Sequence, residues 1–256
     1  MNMDKSSSDN AAEMPIQSQP KTTRGLHGPS LGIGAGIAIV SIISVFLAMN
    51  VIGTNPELKF EEKTPNQETQ KFTLSLFTNN ASPYLGDENA PITLVEFGDY
   101  QCAFCNKFFH ETESAILKNY VETGKVKIIF KDFTIIGPDS IAAANAAHCA
   151  KDQGKFWEYH DALYNNWGGE NNDWASSENL LKFAQSIELN KESFVKCMVD
   201  KKYDQLVTSS NNDARTLGLT GTPGFFIIGH DNQITKISGA QPYESFQRIF
   251  EDELSK

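Results

Sequence analysis

"APITLVEFGDYQCAFCNKFF", residues 90–109, runs from an apolar stretch straight into two cysteines three positions apart. Ile92, Leu94, Val95 and Phe97, bounded by Pro91 and Gly98, predict a buried strand. Cys102 and Cys105 follow at once. Phe104, Phe108, Ile116, Leu117, Tyr120 and Val121 then recur at helical spacings until Gly124. "KVKIIFKDFTI", residues 125–135, predicts a second strand. Strand, cysteine pair at a helix N-terminus, helix and strand make a βαβ unit.

Further along, residues of about 138–217 read as helix throughout. Pro138 suits a first helical position, and the Ala-rich "SIAAANAAHCAKDQG" runs until Gly154 stops it. "KFWEYHDALYNN" keeps a helical period, Ser176 or Ser177 can cap "ENLLKFAQSI", and Asn190 can cap "KESFVKCMVD". After residue 217 the pattern changes. "GTPGFFIIGH" and "ITKISGA" predict a hairpin turning near Asp231-Asn232, and "YESFQRIFEDEL" predicts a closing amphipathic helix.

Before the globular part, residues 1–30 are polar and Ser/Pro-rich and read as a disordered tail. Leu31 to Ile52 carries no charge. As a helix it would extend about 33 Å, enough for a bilayer core of about 30 Å. Lys21 and Arg24 precede it, so the positive-inside rule puts the N-terminus in the cytoplasm and residues 71–256 outside. A cleaved signal peptide is the rival reading. Residues 53–70 form a polar tether. The net charge of -10 lies beyond residue 53 and leaves no basic surplus for neutralising phosphates, which argues against nucleic acid.

Three readings of the cysteine pair compete: redox couple, half a metal site, or structural bridge. Zinc would want two further ligands at short spacing, and His110 stands alone while Cys149 and Cys197 are far apart. A bridge over so short a loop would add little loop entropy. A redox pair suits the position. Unpaired N–H groups at a helix N-terminus stabilise a thiolate, so Cys102 is the nucleophile candidate and Cys105, one turn in, the less exposed partner. Such chemistry calls for no cofactor and no metal.

The strand "TLVEFGDY" entering "CAFC", the all-helical insertion, the "GLTGTPGFFI" loop and the closing hairpin and helix together resemble the DsbA-like branch of the thioredoxin superfamily, over roughly residues 75–254. The fold expected is α/β: a thioredoxin-like fold with an all-helical insertion, preceded by one N-terminal transmembrane helix. The resemblance implies that Cys102 is the nucleophile, Cys105 the resolving cysteine and Pro223 a cis-proline against the disulfide, with Thr222 touching the sulfurs. Taken alone, Thr222-Pro223-Gly224 reads as a turn before a strand.

Glu96 sits between Val95 and Phe97, where an ionised carboxylate is costly to bury. It faces solvent on an alternating strand or lies buried. The resemblance implies a buried acid beneath the disulfide that trades a proton with Cys105. Cys149 and Cys197 are most simply a second, structural disulfide, as in DsbA-like proteins with an additional pair in the insertion. Their loop allows about 4 kcal/mol. Two free buried thiols are the alternative.

His110, His148 and His160 read as helix-face residues, and Asn80-Ala81-Ser82 is a glycosylation pattern. Phe104, Phe108 and Phe109 are candidates for a peptide-binding surface. The function expected is a membrane-anchored extracytoplasmic thiol-disulfide oxidoreductase that introduces disulfides into exported proteins. The resemblance implies a quinone-linked membrane partner that reoxidises it. An isomerase or reductase of the same fold, a thiol metal carrier and a chaperone are the alternatives.

Overall fold

The computed structural model describes residues 73–256 of the chain. The expected tail (1–30), transmembrane anchor (31–52) and tether (53–70) lie outside the described residues. No helix among the described residues is long and apolar enough to cross a membrane.

Strands β1 (Ile92–Gly98), β2 (Val126–Asp132), β3 (Gly224–Ile228) and β4 (Ile234–Ser238) form one sheet in the order β2-β1-β3-β4. β1 pairs parallel with β2, Ile92 opposite Val126, and antiparallel with β3, Val95 opposite Phe226. β3 and β4 make the expected hairpin, with Asn232 at a φ of 61° in its turn. β1 is therefore a central strand, buried except at Thr93. A strand covered on both faces reads as a near-continuous apolar run, as this one does.

A short helix α1 (Ser75–Thr78) precedes the sheet. The helical segment α2 joins β1 to β2 and changes pitch along its length: α-helical Ala103–Phe108, a π turn Phe109–Glu113, α-helical Ser114–Ile116 and a second π turn Leu117–Val121. The insertion holds α3 (Pro138–Lys151), α4 (Phe156–Asn165), α5 (Ser177–Ser186), α6 (Lys191–Val199) and α7 (Asp204–Thr216), and α8 (Tyr243–Leu254) closes the chain. Pro138 opens α3, Ser176 Oγ accepts from the Asn179 N–H at 3.4 Å, and Asn190 Oδ1 accepts from the Ser193 N–H at 2.9 Å.

Three apolar clusters hold these layers. On one face of the sheet, Ile92 and Leu94 pack with Phe108 and Ile116 of α2 and with Phe246 and Phe250 of α8. On the other, Val95 and Phe97 pack with Phe77 of α1 and Ala214 of α7. The third lies in the insertion, around Tyr159, Leu163 and Phe194, and reaches Tyr100, Cys102 and Cys105. The cysteine pair thus sits where insertion and sheet meet. The described residues form a thioredoxin-like α/β core with a helical insertion.

Two polar or covalent ties fix the periphery. Cys149 and Cys197 are disulfide-bonded with Cα atoms 5.8 Å apart, linking α3 to α6. Lys131 of β2 is fully buried, and its Nζ donates to Leu76 O (2.8 Å), Asn79 O (2.5 Å) and Asp213 Oδ2 (2.7 Å). That ammonium holds the start of the domain against α7.

One strand end is corrected, and the placement of three side chains is added. β2 stops at Asp132 rather than residue 135, because the Ile135 and Ile136 N–H groups donate to Asp99 Oδ2 (2.8 and 3.0 Å) instead of continuing the sheet. Phe104 is 62% exposed and outside the core, since the inward face of α2 passes through Cys105 and Phe108. His148 and His160 point inward. His148 Nε2 lies 2.7 Å from Asp132 Oδ2, and His160 Nδ1 lies 3.1 Å from the Tyr100 hydroxyl.

Candidate active site

Cys102 occupies the N-cap of α2 with an extended backbone, φ -69° and ψ 123°. Its N–H donates to Asp99 O (2.9 Å) and its carbonyl accepts from the Asn106 N–H (3.0 Å). The next N–H groups have no partner within the helix. That of Ala103 donates to Glu170 Oε1 at 3.1 Å, while those of Phe104 and Cys105 act on the Cys102 sulfur. Both cysteines are free thiols, Cys102 4% exposed and Cys105 fully buried.

The two thiols differ sharply in acidity. A hydrogen bond from the Cys105 thiol is the largest influence on Cys102, opposed by burial and reinforced by Thr222 and the two backbone N–H groups, and its pKa falls to about 6. Burial pushes Cys105 the other way, well above the usual thiol value, and its bond to Cys102 and the Cys102 and Glu96 charges add to this. At neutral pH the pair holds a thiolate at Cys102 and a thiol at Cys105.

Across from the sulfurs, the Thr222-Pro223 peptide bond is cis. The Cys102 thiol donates to Thr222 O at 3.3 Å. Thr222 Oγ1 is buried without a protein hydrogen-bond partner. The carbonyl accepts from the thiol form, whereas the hydroxyl is the Thr222 group that can donate to the thiolate. A groove beside this loop is lined by Thr222, Pro223, Gly224, Ser238 and Gly239.

Glu96 lies on the α2 side of β1, in register with Ile92 and Leu94, and is 3% exposed. Of its two possible placements the buried one is taken, because the central strand is covered on both faces. Its Oε1 has no protein hydrogen-bond partner. Burial raises its pKa well above the ordinary carboxylate value, with the Glu113 and Cys102 charges adding, which favours the protonated acid. Gly98 makes room for this arrangement: a Cβ there would run into the Phe130 ring and lie 3.2 Å from Glu96 Oε1.

Several site residues escape sequence reasoning. Gln101, fully buried, takes Ser140 Oγ with its Nε2 (2.9 Å), the Asn171 N–H with its Oε1 (2.8 Å) and the Trp167 indole N–H with its carbonyl (2.9 Å). It fastens the insertion loop, with Glu170, to the residue before Cys102. Glu113 is also buried and acts on Glu96. No local motif marks any of these three, because their partners are distant in sequence. Phe109 packs against Tyr164 with centroids 5.1 Å apart, and Phe108 is buried against Phe225, so Phe104 alone of the three phenylalanines is solvent-facing. The Asn80 amide donates to Asp213 Oδ2 at 3.2 Å.

Away from the pair, ligand atoms of His230, Asp231 and Glu253 lie within 4.8 Å of one another. The Lys256 ammonium already meets Glu253 Oε1 there, at 2.6 Å.

A family model described as Thioredoxin matches residues 78–252. A Bacillus cereus protein named probable disulfide bond formation protein D is 26% identical over 232 residues, covering 89% of this chain and 97% of the relative. Disulfide bond formation protein D of Bacillus subtilis is 27% identical over 175 residues, covering 67% of this chain and 77% of the relative. Among solved structures, oxidised BdbD from Bacillus subtilis superposes with a TM-score of 0.62 at 24% identity, covering 72% of this chain and 96% of that one. A thioredoxin-like oxidoreductase from Silicibacter pomeroyi gives a TM-score of 0.60 at 27% identity, with coverage of 72% and 99%.

Proposed function

The chain belongs to the thioredoxin family, whose model spans residues 78–252, and on that premise we propose that it is a membrane-tethered disulfide donor for exported proteins. It is a DsbA-like thiol-disulfide oxidoreductase. The oxidising direction rests on one observation above the rest: Cys102 has a pKa of about 6 while its partner Cys105 is held as a thiol. A sulfur so stabilised as thiolate is a good leaving group and favours the reduced pair, which makes the disulfide form oxidising. Relatives named for disulfide bond formation support the same direction.

In the proposed cycle a substrate thiolate attacks Cys102 Sγ, and the Cys102–Cys105 bond breaks. Cys105 leaves with the electron pair and takes a proton from Glu96, which becomes a carboxylate. A second substrate thiolate then attacks the substrate sulfur of the mixed disulfide. Cys102 departs as a thiolate, held by the helix N–H groups and Thr222. Two electrons have passed from substrate to the pair. Pro223, in its cis linkage, lies against the sulfurs and leaves the preceding backbone for an extended substrate. A quinone-linked membrane partner closes the cycle by reoxidising Cys102 and Cys105.

Residues 31–52 anchor the protein with its N-terminus in the cytoplasm, and residues 71–256 act outside. The Cys149–Cys197 bond suits an oxidising compartment. The reduction potential of the Cys102–Cys105 pair, measured in glutathione buffers, tests the direction. A value toward about -120 mV is expected of a donor, and one near about -270 mV would make the protein a reductase.

A further inference from the structure

Behind Glu96 stands a second buried acid. Glu113 is 4% exposed, and its Oε2 has no protein hydrogen-bond partner. The π turn Phe109–Glu113 brings both Thr112 and Glu113 inward. Thr112 has an evident use there, since its hydroxyl donates to Gln241 O at 3.2 Å. Glu113 has none. A buried, unsatisfied carboxyl costs stability, and π turns in helices gather at functional sites.

The charges around it set out a line. Glu113 acts on Glu96, which itself acts on Cys105. Asp161 of α4 acts on Glu113, and Asp161 is exposed to solvent with Glu158 beside it. Burial foremost raises Glu113 to about 8 and Asp161 to about 6, with Asp161 adding to the first and Glu158 to the second. The histidine and tyrosines packed around this line are uncharged at neutral pH. Burial holds His160 at a pKa of about 3, and burial foremost keeps Tyr100 and Tyr164 as phenols. The remaining charges are negative: Cys102 acts on Glu96, while Asp132 acts on Tyr100 and Asp99 on Tyr164.

We propose that Glu113 and Asp161 are positioning residues that pass a proton from solvent to Glu96, resupplying the acid that protonates Cys105. The proposal rests on the disulfide-donor reading. When Cys105 leaves as a thiolate it takes the Glu96 proton. The Glu96 carboxylate takes one from the Glu113 carboxyl, and Glu113 regains one from solvent through Asp161. One proton moves inward for each disulfide opened, and no electrons travel this route.

Repeated turnover of a reduced two-cysteine peptide by the full chain, with oxidised glutathione present to reoxidise the Cys102–Cys105 pair after each cycle and the uncatalysed rate subtracted, tests this, followed across pH in water and in deuterium oxide. Glu113→Gln is expected to slow the reaction about tenfold at pH 8, to alter the solvent isotope effect, and to be rescued by Glu113→Asp. Asp161→Asn is expected to give a smaller loss with the same pH dependence. A Glu113→Gln profile and isotope effect identical to wild type would overturn the route. So would a uniform loss at every pH with the isotope effect intact, because that marks a merely structural glutamate. Should Glu113→Gln fail to fold, the surface variant Asp161→Asn decides by the same criteria. A wild-type chain that leaves the peptide reduced refutes the donor reading and the route with it. Variants that match an active wild type refute the route alone.

Discussion

The Cys102 thiol and the Thr222 carbonyl lie 3.3 Å apart although 120 residues separate them in the chain. The sheet order brings them together: β3 pairs beside β1, so the loop entering β3 meets the turn leaving β1. Thr222 therefore meets the reactive sulfur through its carbonyl, and its hydroxyl, buried with no hydrogen-bond partner of its own, lies near enough to lower the Cys102 pKa. Thr222→Val keeps the carbonyl and the shape but removes the hydroxyl, one of the groups that lower the Cys102 pKa. Loss of such a bond to a charged sulfur is worth about 1.5 kcal/mol, or about one pKa unit. Thiolate absorbance titration should move upward by that amount, and an unmoved curve would show that the hydroxyl does not touch the thiolate.

Cys102 also makes the pair's energetics depend on pH. Its pKa falls from the ordinary 9.0 to about 6 in the folded, reduced protein. A depressed acid stabilises the folded state fully above its unfolded pKa, and that gain is lost as pH falls through the folded value. Near pH 7 the gain is about 1.4 kcal/mol, or about 30 mV in the potential of the two-electron couple. The disulfide cannot titrate. Melting temperatures of the two redox forms should therefore shift toward the reduced form between pH 6 and pH 9, and a constant gap would contradict the assignment.

Glu96→Gln keeps the size of the buried acid and removes its proton. Cys105 would then leave as an unprotonated thiolate in a buried site, so opening of the disulfide by a peptide thiol should slow by about 100-fold at neutral pH. Stopped-flow mixing of oxidised protein with the peptide measures it. An unchanged rate would remove Glu96 from the chemistry.

Lys131 has no part in that chemistry, and its variant should separate stability from activity. Burial foremost lowers its pKa, while Asp213 and two backbone carbonyls hold its charge. Lys131→Met leaves Leu76 O, Asn79 O and Asp213 without their donor. Breaking a buried pair from one side costs about 3–5 kcal/mol. Urea unfolding should show that loss, and the Cys102 pKa should stay in place.

Much of this molecule is legible in one short segment. The apolar run of β1, the cysteines at the start of α2 and the helical period beyond them rest on local patterning, so the βαβ start and the insertion follow from sequence. Pro223 is legible only through resemblance, since nothing in Thr222-Pro223-Gly224 distinguishes a cis linkage from an ordinary turn. Residues whose roles depend on remote partners are not legible. Phe104 fits the helical period yet faces solvent, because the period does not say where α2 begins to face the sheet. Glu170, Gln101 and Lys131 look like ordinary polar residues until the insertion, and for Lys131 also the start of the domain, folds onto them. Glu113 is hidden for a further reason, since a π turn shifts the helical phase and turns inward a position that regular spacing would place less surely.

Glu113 should also betray itself in stability. Its pKa is raised from 4.5 to about 8, so the unfolded chain releases this proton far more readily than the folded one. A raised acid stabilises the fold fully below its unfolded pKa, and that stability is lost as pH climbs through the folded value. At pH 8 the wild-type protein thus bears a penalty that glutamine, which cannot ionise, does not share. With those values the penalty is on the order of 4 kcal/mol. Glu113→Gln should therefore unfold at higher urea than wild type at pH 8 and show little gain at pH 4. A gain of equal size at both pH values would point to better packing rather than a titrating acid, and a loss at both would mean that the carboxyl is structurally required. A more stable yet slower variant is the pattern expected of an acid kept for function rather than for the fold.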